Sequence, residues 1–349
     1  MKSSVLADKK EYFAIDCLKF IASYMVLAIH FMIFTDVNKE LDYWTTQILC
    51  RLAVPFFFVA SGYFVANKMQ DVKKLAVYLK RILLTYLVYS LVYLPLMIEK
   101  YQKFNYTWKM RIEDFLYSFF ITGTYFHLWY FVAIMVASVI VYVLINYVKL
   151  DDKNLLLVTG ILYIIGTLGN AYRNIWVNVP FIDKVLSAYE SVFETTRNGV
   201  FMGPLLLTLG YLLRKHSDKI KYRHYWLYTI IFFALMNVEE YFARAITNHA
   251  GQSMLFMTPV VAVLIFLTGS FIKVPEKLVP LGVFLRNAGV VVYAFHMFIS
   301  DKYGYELSGF TGLCGFSYYL MIAKRVTILA FCIVGLSRIK WFKWLKYFY

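Results

Sequence analysis

Charge is what this 349-residue sequence has least of: 16% of its residues are Asp, Glu, Lys or Arg, against about a quarter in soluble domains. With 61% of residues hydrophobic and 19% aromatic, that shortage excludes an ordinary soluble fold. Cysteine is scarce too. Cys17, Cys50, Cys314 and Cys332 lie in or near apolar segments and never in C-x-x-C spacing, so neither a zinc site nor a disulfide framework is indicated. There is no G-x-S-x-G elbow, which argues against a serine-hydrolase triad. The H-E-x-x-H and Walker A patterns are missing as well, which argues against a zincin and an ATP-driven pump. The sequence shows no low-complexity linker, appended soluble segment or internal repeat. One membrane domain over 1–349 is expected.

What the sequence has is apolar runs near twenty residues long, the length that crosses a bilayer as a helix. The expected fold is all-α, a polytopic transmembrane helical bundle. Ten spans are read, at roughly 12–34, 48–67, 79–98, 127–148, 155–172, 198–213, 225–242, 254–272, 283–300 and 317–337. The first has a basic lead without a small-residue cleavage site, so it is expected to stay as a signal-anchor helix. Phe115–Thr122 is apolar but too short to cross. The formal charge of +15 fits loops that set topology better than nucleic-acid binding, which is not expected. With the N-terminus inside, the inner segments carry about twice as many Lys and Arg as the outer ones. The positive-inside rule then puts both termini in the cytoplasm.

The run Tyr12–Phe34, YFAIDCLKFIASYMVLAIHFMIF, holds the first chemistry. Asp16, Lys19, Ser23 and His30 are spaced by three, four and seven residues, so on a helix they form one stripe. Charges facing hydrocarbon cost a few kcal/mol or more each; a stripe turned to a bundle interior avoids that. Asp16 and Lys19 have a second placement open to them, snorkelling at the inner mouth, which does not serve His30 three turns deeper. In the same orientation His30, Arg51, His127, Arg197, Glu239, Glu240 and His296 share one depth near the outer side. Two readings stay open for the residues near helix ends: reaching the headgroups, or lining a polar cavity open to the outside. His30 and His296 have apolar neighbours on both sides, and for them the alternative to the cavity is a satisfied core histidine. A histidine can take a proton from a hydroxyl or amine nucleophile. A nearby cation can hold an anionic group or steady the oxyanion of acyl transfer.

The run Ile15–His30, I-D-x-L-K-F-x-A-S-x-M-V-x-A-I-H, resembles the first helix of the acyltransferase 3 membrane family, in which a basic residue precedes the catalytic His by eleven positions. Arg51–Gly62, R-L-A-V-P-F-F-F-V-A-S-G, resembles that family's second-helix signature. H-L-W-Y-F from His127 and V-Y-A-F-H ending at His296 resemble its later elements. A closer resemblance, in Thr196–Pro204 (T-R-N-G-V-F-M-G-P), Phe126–Tyr130 and the Ser253–Pro259 region, is to the membrane half of vancomycin-resistance serine racemases. Their pyridoxal-phosphate domain has no counterpart here, so racemase activity is not expected.

The resemblance implies a multi-pass protein of the bacterial cytoplasmic membrane that moves an acyl group from cytoplasmic acyl-CoA to an envelope saccharide or small-molecule acceptor. Acyl-CoA would be a co-substrate, with no tightly bound cofactor and no metal. His30 is the implied catalytic base. Lys19 is implied to place the donor and Arg51 to orient donor or acceptor groups, while Asp16, His127, Arg197, Glu239, Glu240 and His296 are substrate-binding candidates. Lys19 stands where the family more often has Arg, so a point charge replaces a planar fork. The inner loops Lys68–Arg81 and Arg214–Arg223 could attract coenzyme A phosphates. The racemase subgroup also keeps a second reading open, transport of a small amino acid such as serine, although the paired broken helices common in transporters are not seen.

Overall fold

The computed structural model describes residues 12–247, 254–308 and 315–349. Ser253 and Cys314, named above, lie outside them, as does the basic lead of the first expected span. In chain order the helices are α1 (Phe13–Phe31), α2 (Lys39–Asp42), α3 (Ala53–Val65), α4 (Val72–Lys103), α5 (Trp108–Tyr117), α6 (Trp129–Asn146) and α7 (Asp152–Leu168). They continue as α8 (Pro180–Phe193), α9 (Gly203–Lys215), α10 (Tyr225–Thr247), α11 (Thr258–Ser270), α12 (Val279–Ser308) and α13 (Phe316–Leu336), followed by a 3-10 helix, Lys340–Phe348. Wide and tight turns over Tyr43–Leu52 join α2 to α3 without a break.

Local chemistry starts several of these helices. The Asp71 carboxylate accepts from the amides of Lys73 and Lys74 (2.9 and 3.2 Å) ahead of α4, and Asp151 accepts from Asn154 (2.8 Å) ahead of α7. Each cap occupies amides that the first turn leaves unpaired.

The fold among the described residues is all-helical, and each of the ten expected segments overlaps a helix. Among the described residues six stretches are long and apolar enough to cross a membrane: Phe13–Phe31, Lys39–Lys68, Val72–Lys103, Trp108–Asn146, Glu276–Tyr303 and Phe316–Leu336. The others fall short for visible reasons. α9 and α11 have 13 residues each, or about 20 Å at 1.5 Å per residue, and α10 carries Glu239, Glu240 and Arg244.

Two contacts set the frame. α3 and α9 touch backbone to backbone, because Gly62 and Gly210 leave no side chain between them. A Cβ at Gly62 would lie 2.1 Å from the Leu207 carbonyl oxygen, and one at Gly210 would lie 2.0 Å from that of Val59. Small residues of this kind let membrane helices approach closely. Gly210→Ala is expected to force the pair apart and cost about 1–3 kcal/mol, the usual range for overpacking. A lower melting temperature in detergent reads the loss, with Gly335→Ala as control, since nothing lies within 4 Å of a Cβ at Gly335.

The second contact runs α1 alongside α12, in parallel. Asp16 lies beside Arg286 (3.5 Å) near one end, the Gly289 site faces the backbone of Lys19 and Phe20, and His30 stacks on His296 toward the other. The polar stripe read from the sequence therefore lies along α12, with Asp16 and Ser23 buried. Below, the two ends of the bundle are the lysine end (Lys19, Lys68, Arg286) and the histidine end.

Candidate active site

Three imidazoles meet near the histidine end. The His30 and His296 rings stack with centroids 5.3 Å apart and planes 25° from parallel. His127 lies 4.8 Å from His296 and 6.5 Å from His30. α1, the short turn Phe126–Leu128 and α12 supply one ring each.

Their hydrogen bonds define the tautomers. His296 Nδ1 faces the Tyr293 carbonyl oxygen at 2.7 Å. A carbonyl only accepts, so in the neutral ring Nδ1 carries the hydrogen and Nε2 is the acceptor. His127 Nε2 faces the Ala294 carbonyl at 3.1 Å, which leaves its Nδ1 as the acceptor. Both acceptor nitrogens, His296 Nε2 and His127 Nδ1, are buried and have no partner among the described residues. A buried polar atom left so costs about 1–3 kcal/mol. Two in one cluster mark a place where a substrate hydroxyl or amine can bond. Tyr93 braces the cluster: its hydroxyl donates to the Ala294 carbonyl (2.8 Å) and accepts from the Phe298 amide (2.9 Å).

Two cavities are lined by residues that pack against this cluster. The larger, about 570 Å³, is lined at the lysine end by Lys19, Lys68, Arg81 and Arg286, and by Ser61, Tyr130 and Tyr293 elsewhere in its wall. Tyr293 is also part of the cluster's support, since its hydroxyl donates to the His127 carbonyl and the two rings lie 5.9 Å apart. The smaller cavity, about 190 Å³, is lined by Phe126, Trp129 and Arg197 among others. Phe126 packs edge-on against His30, centroids 5.1 Å apart, and the Arg197 guanidinium sits 5.0 Å over the Trp129 ring. No histidine lines either cavity; the cluster meets the larger one through Tyr293 and the smaller one through Phe126.

The profile of the acyltransferase domain family, acyltransferase 3, matches residues 12–339. The chain belongs to the acyltransferase 3 family. An "Amino-acid racemase" of Enterococcus faecalis is 32% identical over 265 residues, which is 72% of this chain and 36% of that protein. A "Serine/alanine racemase" of Enterococcus gallinarum is 30% identical over 258 residues, again 72% of this chain and 36% of the relative. The chain therefore spans about a third of the length of these curated relatives. No solved structure matches it.

Within this membrane acyltransferase domain the expected site residues separate into groups. His30, His127 and His296 come together. Lys19 lies in the wall of the larger cavity with its ammonium 4.2 Å from the Phe64 ring centre, and Arg197 lies in the wall of the smaller one. Asp16 does not line either cavity: it is buried and holds Arg286, which does. Arg51 donates from Nε to Gln47 (2.9 Å) one turn earlier and lines neither cavity.

The two glutamates part company. Glu239 accepts from the amides of Phe256 (2.6 Å) and Met257 (2.9 Å), so it caps the start of α11. It lines neither cavity. Glu240 is fully buried and accepts from the Tyr43 hydroxyl. Of the two inner loops, Lys68 and Arg81 reach the larger cavity, whereas Arg214 donates to the hydroxyls of Tyr12 and Tyr63, both at 3.3 Å. Sequence reasoning missed Tyr93 and Arg286, and held Tyr130 and Tyr293 only inside quoted motifs, not as site residues. The signal was available for Tyr293: it sits three residues before His296, one helical turn away.

Proposed function

We propose that this protein transfers an acyl group, acetyl in the simplest case, from acyl-CoA to a hydroxyl or amine acceptor on the far side of a bacterial cytoplasmic membrane. The observation that carries the reading is that the histidine cluster packs on Tyr293, which lines the cation-lined cavity, and on Phe126, which lines the smaller one. Lys19, Lys68, Arg81 and Arg286 suit the phosphates of coenzyme A, whose pantetheine arm would extend along the cavity toward Tyr293. The acceptor would enter the smaller cavity beside Arg197, an envelope saccharide being the expected class.

In the reaction so proposed, His30 takes the proton of the acceptor hydroxyl as its oxygen forms a bond to the thioester carbonyl carbon. The carbonyl becomes an oxyanion, which the Arg197 guanidinium would stabilise electrostatically. As the intermediate collapses, the carbon–sulfur bond breaks and the coenzyme A thiolate leaves with a proton from His30. His296 stacks on His30 and fixes the ring it reacts from. Coenzyme A is a substrate in this scheme, and no resident cofactor or metal is invoked.

The relatives are named for acting on amino acids, and in the rival reading the same outer polar groups hold a small amino acid for transport. Purified protein incubated with acetyl-CoA and candidate saccharides is expected to release free thiol in an acceptor-dependent manner. Saturable uptake of labelled serine into proteoliposomes, with no thiol release, would sink the acyl-transfer reading.

A further inference from the structure

Beyond the histidine cluster, the most ordered chemical pattern in the molecule is the segment after α13. Its sequence from Lys340 to Phe348, KWFKWLKYF, repeats with a period of three. It is wound as a 3-10 helix with a kink at Phe342 (φ −107°, ψ 18°). A 3-10 helix has three residues per turn, so side chains at i and i+3 eclipse. A period-three sequence on it gives ridges of one chemistry each.

After the kink, the ridge that begins at Phe342, itself 40% exposed, turns to the protein. Leu345 is buried, and Phe348 stacks on Phe295 with centroids 5.7 Å apart. The Tyr89 hydroxyl donates to the Phe348 carbonyl at 2.8 Å, and the hydroxyls of Ser337 and Tyr349 meet at 2.6 Å. The other two ridges point away. Lys340, Lys343 and Lys346 are exposed, and Trp341, Trp344 and Tyr347 are 85%, 56% and 54% exposed. The segment begins four residues after Leu336, the end of a helix long and apolar enough to cross a membrane.

We propose that Lys340–Phe348 is a docking site for the headgroups of anionic phospholipids. Three features select that occupant. Trp and Tyr rings carry an apolar body and a polar edge, and they partition to the headgroup level of a bilayer. Lysines gain from the negative potential of an anionic leaflet, about fivefold in affinity for each one near the surface. The short connection from α13 keeps the segment at that surface. Anchoring of the third ridge leaves little to order on binding, so the gain is not consumed in fixing the helix. An acidic soluble partner would suit the lysines, but would not account for three aromatic residues held outward beside the end of a membrane helix.

The test is hydrogen exchange of the 340–348 amides in the whole protein, reconstituted in phosphatidylcholine nanodiscs with and without phosphatidylglycerol. Phosphatidylglycerol is expected to slow exchange about tenfold or more, the order set by several lysines near an anionic surface. The triple substitution Lys340→Gln, Lys343→Gln, Lys346→Gln should remove that response. The corresponding triple Arg variant should keep it, which separates lost charge from lost folding. Soluble glycerol phosphate should leave exchange unchanged. Equal exchange of the parent in both bilayers, a retained response in the Gln variant, or the same slowing with glycerol phosphate would each overturn the proposal.

Discussion

His30→Ala is expected to lower acyl transfer by about 10²–10⁴-fold, the usual contribution of a positioned general base, while expression and membrane insertion stay at parental levels. His30→Gln should be no better, because an amide hydrogen-bonds but does not accept the acceptor's proton. His296→Asn tests the stacked neighbour. It removes the ring that lies 5.3 Å from that of His30, and it should reduce turnover more than it changes the donor's Michaelis constant. Initial rates of thiol release at saturating acetyl-CoA read both effects. Parental turnover by His30→Ala would remove the proton-transfer role from this residue.

The histidine cluster shows how far the sequence could be read. His30 and His296 stood out as ionisable groups with apolar neighbours on both sides, and a common depth for them followed from span direction alone. Depth is a one-dimensional coordinate, however. It put Glu239 beside the histidines, whereas the structure turns that carboxylate to the start of α11. Which way a side chain points around its helix depends on the neighbouring helix, and α11 comes from a distant part of the chain.

The helices themselves were legible because a membrane span must be apolar over a fixed length. Departures occur where that rule relaxes. α9 and α11 are short because they are packed inside the bundle, with α9 held against α3 through Gly62 and Gly210. Of the cavity at the lysine end, the sequence offered Lys19 and a basic loop but not their meeting with Arg286. Lys68, Arg81 and Arg286 belong to three elements and look like topogenic charges one by one. Their meeting around one space is a property of the packing.

That meeting leads to the second large effect, which separates donor binding from chemistry. Lys19 and His30 lie about 16 Å apart along α1, eleven residues at roughly 1.5 Å each. Lys19 is in the wall of the larger cavity, and His30 is in the cluster beyond it. Coenzyme A with its extended arm is long enough to serve both, and a free amino acid is not. Lys19→Ala is therefore expected to weaken coenzyme A binding about tenfold, the order of one charge-assisted contact to phosphate. The loss should shrink as salt is raised, because screening removes the electrostatic part. Lys19→Arg should restore binding, since the charge returns to the same wall. His30→Ala should leave coenzyme A affinity near the parental value while turnover collapses. Isothermal calorimetry on the detergent-solubilised protein measures each case. A parent that binds no coenzyme A, or a Lys19→Ala variant that binds it as the parent does, would detach this cavity from the donor and leave the amino-acid transport reading ahead.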